Sequence, residues 1–134
     1  MPVVIVHDLA QSRAALAAAE AAGAEITLLS PPGAAAFWGP LYFQSLMRLA
    51  ADAHPAARFT AVLDCADRPG DVLASLRQGL ADLVFHGRGD VRDKLAAIAE
   101  ARGARLLMPL AADLDLSTER DPAAACRRLL SLEL

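Results

Sequence analysis

The sequence predicts a single α/β domain over residues 1–134, in which helices cover both faces of a five-stranded parallel sheet to make three layers. Two observations predict this fold class. Short apolar runs rich in β-branched residues alternate with longer amphipathic segments, and glycine or proline stands at most of the boundaries. Such alternation is typical of βαβ crossovers. We expect the flavodoxin-like strand order 2-1-3-4-5, with a Rossmann-like order as the alternative.

The strands are predicted where apolar runs are continuous, because strands buried on both faces carry few polar residues. These runs lie at residues 3–6, 24–29, 58–63, 83–85 and 105–108. Helices are predicted at residues 10–22, 40–54, 71–79, 91–102 and 121–132. Gly23 follows the first helix, since glycine accepts the left-handed conformation that ends helices. Pro40 and Pro122 begin two others, and Asp71 is the expected N-cap of a third.

Composition excludes several classes of protein. A chain with 55% hydrophobic residues is not intrinsically disordered, and a net charge of −3 does not suit a general nucleic-acid binder. No apolar stretch approaches the ~20 residues of a membrane span, and the N-terminus lacks the basic region of a secretory signal. Lys94 is the only lysine against twelve arginines, which indicates GC-rich bacterial coding. We expect a cytoplasmic bacterial protein without nucleic-acid or membrane partners.

The two cysteines, Cys65 and Cys126, are far apart and show no Cys-x-x-Cys spacing. This excludes a disulfide framework and a zinc ribbon and leaves a single disulfide as an alternative, but reduced thiols are the simpler expectation. We expect neither a metal nor a cofactor.

Polar residues follow the predicted strands at the end where open parallel sheets bind ligands. With the order 2-1-3-4-5, the binding crevice would lie between strands one and three. Imidazole and carboxylate together are suited to proton transfer. The alternative is that these residues have only structural roles, because Asp, Ser and Gly also occur in turns and helix caps. The candidate ligand-binding residues are His7, Asp8, Ser30, Asp64, Cys65, Asp67, His86, Gly87 and Arg88.

The segment from His86 to Asp90 reads His-Gly-Arg-Gly-Asp and precedes a predicted helix. Its glycines would let backbone N–H groups approach a small anionic ligand, and Arg88 could add a contact to phosphate or carboxylate. Against this, Asp90 would itself act as the cap. The spacing matches neither the dinucleotide-binding nor the P-loop pattern.

Two short stretches resemble known families. Val-Ile-Val-His-Asp at residues 4–8 and Val-Leu-Asp at residues 62–64 resemble the acidic pair and the phosphoacceptor of response-regulator receiver domains, which implies the flavodoxin-like order. Met108 stands where the receiver lysine belongs, and His86 stands where Ser or Thr belongs, so the resemblance extends to the fold alone. Residues 79–87, Gly-Leu-Ala-Asp-Leu-Val-Phe-His-Gly, resemble late strands of phosphate-binding barrels.

One pattern occurs twice. Residues 7–29 and 86–107 both run from a histidine through a helix and Glu-Ala-x-Gly-Ala into a strand. Every βαβ unit needs a glycine after its helix, and alanine is frequent throughout, so general requirements explain the similarity. An internal duplication is the alternative.

Aromatic residues concentrate at residues 37–43, which hold four of the six in the chain. An apolar cluster beside a helix start is typical of an interface or a lid, although it could also fold back as a small satellite core. The candidates are Phe37, Trp38, Leu41, Tyr42, Phe43 and Met47. We therefore expect a homodimer or another homo-oligomer.

Two functions are consistent with these patterns. The first is a homo-oligomeric binding or regulatory module with a ligand crevice at the C-terminal strand ends. The alternative is a small lyase- or isomerase-like enzyme that uses His7, Asp8, Asp64 and His86 for proton transfer.

Overall fold

The structure, a computed structural model, describes residues 1–132, which form six strands and six α-helices. The strands are β1 (Val3–Ile5), β2 (Glu25–Leu29), β3 (Arg58–Asp64), β4 (Asp82–Val84), β5 (Arg105–Leu107) and β6 (Leu114–Asp115). The helices are α1 (Leu9–Ala22), α2 (Ala34–Phe37), α3 (Pro40–Ala53), α4 (Pro69–Gln78), α5 (Gly89–Ala101) and α6 (Pro122–Ser131). The predicted α/β class, a parallel sheet flanked by helices, is confirmed.

The predicted strand order is wrong. The strands follow the order β5-β4-β3-β2-β1-β6, which is neither the five-stranded 2-1-3-4-5 order nor the Rossmann-like alternative. Right-handed crossovers are compatible with several lateral orders, so local sequence patterns do not select among them. Because β2 lies between β1 and β3, the crevice expected between strands one and three does not exist there.

The sixth strand was missed because it is two residues long. Leu114 and Asp115 pair in parallel with Val4 and Ile5 of β1. The N–H of Val3 donates to the Asp113 carboxylate at 2.8 Å, which fastens the start of this pairing. Two residues are too few to show a hydrophobic period.

The contacts divide the chain into two compact units, and the first contains residues 1–29, 45–61 and 111–132. Its β2, β1 and β6 form one stretch of sheet, and α1 packs on α6. Ala15 and Ala19 of α1 and Ala125 of α6 are buried, so small side chains allow the two helices to approach closely. Asp8 caps the start of α1 by accepting from the N–H of Gln11. As expected, Gly23 ends this helix in the left-handed conformation.

The second unit contains residues 30–44 and 62–110. It holds β4 and β5, the last residues of β3, and the helices α2, α4 and α5. Its core is apolar and includes Val62, Leu63, Val72, Leu76, Leu83, Val84, Phe85 and Leu95. The N-cap of α4 is Arg68 and not Asp71, which was the expected cap. Asp71 lies three residues later, in the first turn of the helix.

Within residues 1–132, no helix combines the length and the apolar character that crossing a bilayer requires.

Candidate functional site

Asp64 ends β3 and is the buried centre of the second unit's site. Val62 and Leu63 precede it in the core, so the strand carries the carboxylate to the edge of the sheet. Its Oδ1 accepts the N–H of Ala66 at 2.8 Å and that of Gly33 at 3.2 Å. These backbone donors satisfy one carboxylate oxygen and leave Oδ2 for another partner.

That partner is His86, which follows the neighbouring strand β4. Its Nε2 lies 3.1 Å from Oδ2 of Asp64. Because an ionised carboxylate only accepts, Nε2 carries the hydrogen and donates it, which leaves Nδ1 with its lone pair. The Asp64 side chain is 10% exposed and that of His86 is 42% exposed. A buried carboxylate thus orients an accessible imidazole.

Ala66 connects the two residues through its backbone. Its N–H donates to Asp64, and its carbonyl accepts the N–H of His86 at 2.8 Å. The residue is left-handed at a φ of 52°, a conformation that non-glycine residues rarely adopt. Strained backbone of this kind is retained where surrounding contacts demand it, and it is frequent at functional sites.

Beside His86, the backbone of Gly87 packs closely against the ring of Phe85. A Cβ on Gly87 would lie 2.1 Å from the ring of the buried Phe85, so only glycine fits above that ring. The Arg92 guanidinium lies 5.8 Å from the ring centroid and donates to the carbonyls of Phe85 and Leu107. Arg92 therefore fastens the ends of β4 and β5.

Two adjoining cavities open on this site. One of about 440 Å³ is lined by Asp67, Pro69, Phe85, His86, Gly87, Arg88 and Val91. The other, of about 330 Å³, is lined by Pro32, Gly33, Asp64, Ala66, Asp67 and His86. Since both contain Asp67 and His86, we treat them as one surface depression and call it the His86 groove. Arg88, the N-cap of α5, is exposed on its edge and lies 3.5 Å from the Asp90 carboxylate.

Two of the predicted residues support the site without facing the groove. The Ser30 hydroxyl accepts the N–H of Asp64 at 2.9 Å and donates to the carbonyl of Pro31. Cys65 is fully buried, and burial raises the pKa of its thiol to about 12 despite a contact with the Ser75 hydroxyl. A thiol with this pKa is protonated at neutral pH, so Cys65 is not a nucleophile here.

His7 and Asp8 lie in the first unit. There the imidazole of His7 is hydrogen-bonded to the Asp115 carboxylate, a partner that was not predicted from the sequence. Nε2 of His7 donates to Oδ1 of Asp115 at 2.7 Å. The same oxygen accepts the N–H and the hydroxyl of Ser117. Desolvation opposes ionisation of Asp115, but these hydrogen bonds outweigh it and lower its pKa. The Asp-x-Ser turn pattern at residues 115–117 was the available signal.

The aromatic segment divides into exposed and buried residues. Phe37, Leu41 and Tyr42 are exposed, whereas Phe43 and Met47 are buried in the core. Trp38 is half-buried and stacks on Phe43 with ring centroids 6.3 Å apart.

No group of three or more His, Cys, Asp or Glu side chains in the described part of the chain is arranged to hold a metal ion.

The similarities found among known proteins are structural. No family model matches the chain, and no curated protein matches it. Among solved structures, the chain is similar to a Coccidioides immitis protein given as a candidate fructose-1,6-biphosphate aldolase, with 25% sequence identity and a TM-score of 0.58. The similarity covers 81% of this chain and 45% of that protein. The chain thus spans less than half the length of its structural neighbour.

Proposed function

We propose that the His86 groove is a proton-transfer site for a small anionic substrate, of the lyase or isomerase class. The observation that carries this proposal is the orientation of His86 by Asp64, a buried carboxylate held by two backbone N–H groups. His86 is the general acid–base group, and Asp64 is its positioning residue.

In this proposal, Nδ1 of His86 removes a proton from the substrate while Nε2 stays bonded to Asp64. The imidazolium that forms is stabilised by the Asp64 carboxylate at 3.1 Å, and it then returns the proton to the product. Asp64 keeps the ring in one tautomer, because only Nε2 faces its oxygen. Arg88, which also lies 3.5 Å from the Asp90 carboxylate, and the first N–H groups of α5 are the positive groups that would contact the substrate's anionic group.

The structural similarity to a candidate aldolase supports the lyase class. Cleavage of an aldol begins with removal of a hydroxyl proton, which an oriented imidazole can accept. Because the similarity covers less than half of that protein, the substrate remains defined here by chemistry alone: a small carbonyl compound with a phosphate or carboxylate group.

The test is exchange of a carbon-bound proton with solvent. A three-carbon ketone phosphate is incubated with the protein in D₂O, and deuterium incorporation beside the carbonyl is followed by NMR. His86→Gln should lower the exchange rate about 100-fold or more, the usual contribution of one acid–base group. His54→Gln is the matched control, because His54 lies outside the groove beside Glu20. Equal rates in the wild type and His86→Gln would refute the role of His86.

The second candidate function is a homo-oligomeric binding or regulatory module. The exposed Phe37, Leu41 and Tyr42 favour it, because an apolar cluster on the surface is typical of a contact site. We propose that this segment joins two copies of the chain. A module of this kind would bind the ketone phosphate without exchanging its proton, so the same experiment separates the two functions.

A further inference from the structure

The His86 groove has two ends that differ in their charged groups. The cavity of about 440 Å³ includes Arg88 and the start of α5, and we call it the helix end. The cavity of about 330 Å³ includes Pro32 and Gly33 from the loop after β2, and we call it the loop end. Both cavities contain His86 and Asp67, so these two side chains are available to a ligand at either end.

The loop end lacks the groups that bind an anion. Within the described part of the chain, no lysine or arginine lines this cavity, and Arg68, the nearest cation in the sequence, lines neither end. The N–H groups of Gly33 and Ala34 face other acceptors, because they donate to the Asp64 carboxylate and to a backbone carbonyl. Apart from His86, the loop end therefore offers an anionic group no partner.

Asp67 supplies the acceptor that a ligand can use. Its side chain is exposed, and no residue among 1–132 donates a hydrogen bond to its carboxylate or forms an ion pair with it. The carboxylate of Asp64 differs, because two backbone N–H groups and the imidazole of His86 already occupy it. Of the two carboxylates at the loop end, only that of Asp67 has its oxygens available.

The turn that carries Asp67 is fastened to the aspartate–histidine pair. A bond of 3.2 Å from the N–H of Arg68 to the carbonyl of Cys65 closes this turn. Ala66, the left-handed residue before Asp67, donates its N–H to the aspartate of the pair and accepts the N–H of the histidine. The contacts that orient the imidazole therefore also fix the backbone position of Asp67 beside it.

The charge of Asp67 selects the chemistry of the group that it meets. An ionised carboxylate only accepts hydrogen bonds, so the ligand must present a donor. A second phosphate or carboxylate on the ligand would have the same sign of charge as Asp67 and would be repelled. An ammonium group would oppose the proposed proton transfer, because His86 becomes a cation in the same cavity. A hydroxyl group meets both conditions.

We propose that Asp67 determines the specificity of the His86 groove: it accepts a hydrogen bond from a hydroxyl group of the substrate and excludes a second anionic group from the loop end. The substrate is then a hydroxylated compound with a single anionic group, which lies at the helix end. The placement of that anionic group rests on the proposed function.

The test compares probes that differ only at one end of the molecule. These are ω-hydroxyalkyl phosphates, alkyl phosphates and alkane bisphosphates, each with chains of three to six carbons. Dissociation constants are measured from the shift of the His86 Cε1–H NMR resonance at a fixed neutral pH and constant ionic strength. At the chain length that binds best, the hydroxyl compound should bind about 10-fold more tightly than the alkyl compound, the usual effect of a hydrogen bond to a charged group. It should also bind at least several-fold more tightly than the bisphosphate.

Two variants of Asp67 separate hydrogen bonding from charge, and both should fold normally because the side chain has no partner in the protein. Asp67→Ala should remove the preference for the hydroxyl compound over the alkyl compound. Asp67→Asn retains an acceptor oxygen without the charge, so it should strengthen binding of the bisphosphate at least several-fold and retain part of the hydroxyl preference. Asp93→Asn is the matched control, because it removes the same charge from an exposed residue that lines neither end. It should leave all three constants unchanged.

The inference is overturned if the wild type binds the three kinds of probe equally, if no probe shifts His86, or if Asp67→Ala keeps the hydroxyl preference. Failure of the proposed function gives a different result. The wild type then exchanges no deuterium with the ketone phosphate, while the hydroxyl preference and its loss in Asp67→Ala persist.

Discussion

Among the glycines, Gly87 is the one at which an added Cβ meets the closest atoms. A Cβ at this position would lie 2.1 Å from the Phe85 ring, which is itself buried and in contact with Arg92. Gly87→Ala should therefore lower the free energy of unfolding by about 1–3 kcal/mol, the usual cost of overpacking. Urea denaturation measures the change.

Gly89→Ala is the matched control, because no atom lies within 4 Å of a Cβ built there. It should leave stability unchanged or raise it slightly, since alanine favours the helical conformation at the start of α5. If the two variants unfold at the same urea concentration, Phe85 does not restrict residue 87.

Both cysteines should be unreactive in the folded protein. Burial raises the pKa of Cys65 to about 12 and that of Cys126 to about 11, so almost no thiolate forms at pH 8. Ellman's reagent should release no colour from the native protein at that pH, and two equivalents after unfolding in urea. Rapid reaction of one native thiol would show that its side chain is accessible.

Residues of the site could be predicted where their position depends only on their neighbours in the sequence. Asp64 and His86 follow apolar runs directly, so their place at the strand ends could be inferred from the sequence. The partner of His7 could not, because Asp115 reaches it only through the pairing of β6 with β1. Gly33 was missed for a similar reason, since its N–H meets Asp64 across 31 positions of sequence.

At the scale of elements, the pairing of β6 with β1 should depend on pH through Asp115. Its pKa is lowered in the folded protein, so its ionised form stabilises the fold at pH values above the ordinary aspartate pKa of about 4. This stabilisation is lost as the pH falls through the lowered folded pKa. Asp115→Asn should cost about 1 kcal/mol near pH 6 and progressively less below pH 4.

Urea denaturation at a series of pH values measures this difference. Asp93→Asn is the control, because Asp93 is an exposed residue of α5 in the second unit. A cost for Asp115→Asn that stays constant down to pH 2 would show that the carboxylate charge contributes nothing.

Helices with characteristic residues at their ends were predicted well, whereas the very short strand β6 was not predicted. Pro40 and Pro122 begin α3 and α6, and Gly23 ends α1, because each residue type has a backbone preference that acts locally. The two-residue β6 has no such signal. Its omission also left the prediction one strand short, so the lateral order of the sheet was inferred from an incomplete set.

At the scale of the whole molecule, the exposed aromatic segment should cause self-association. Burial of Phe37, Leu41 and Tyr42 between copies would contribute at about 25 cal/mol per Å², and a two-fold dimer is the commonest arrangement. Sedimentation velocity at micromolar concentration should show a dimer for the wild type. The double variant Phe37→Ser, Leu41→Ser should be a monomer.

Ile98→Ser is the control, since Ile98 is an exposed apolar residue of α5 outside this segment. Trp38 is less suitable for substitution because its ring stacks on the buried Phe43, so its loss would also disturb the core. A monomeric wild type would contradict the proposed interface and show that these apolar side chains are exposed to solvent.

The two aspartate–histidine pairs also differ in how much chain each must bring together. Asp64 and His86 are 22 positions apart, whereas His7 and Asp115 are 108 apart. Loop-closure entropy rises with the logarithm of this separation, so the longer loop costs about 1.4 kcal/mol more to close. During synthesis from the N-terminus, His86 emerges when its aspartate has already been made. His7 is the first of these four residues to be made, and its own aspartate is the last.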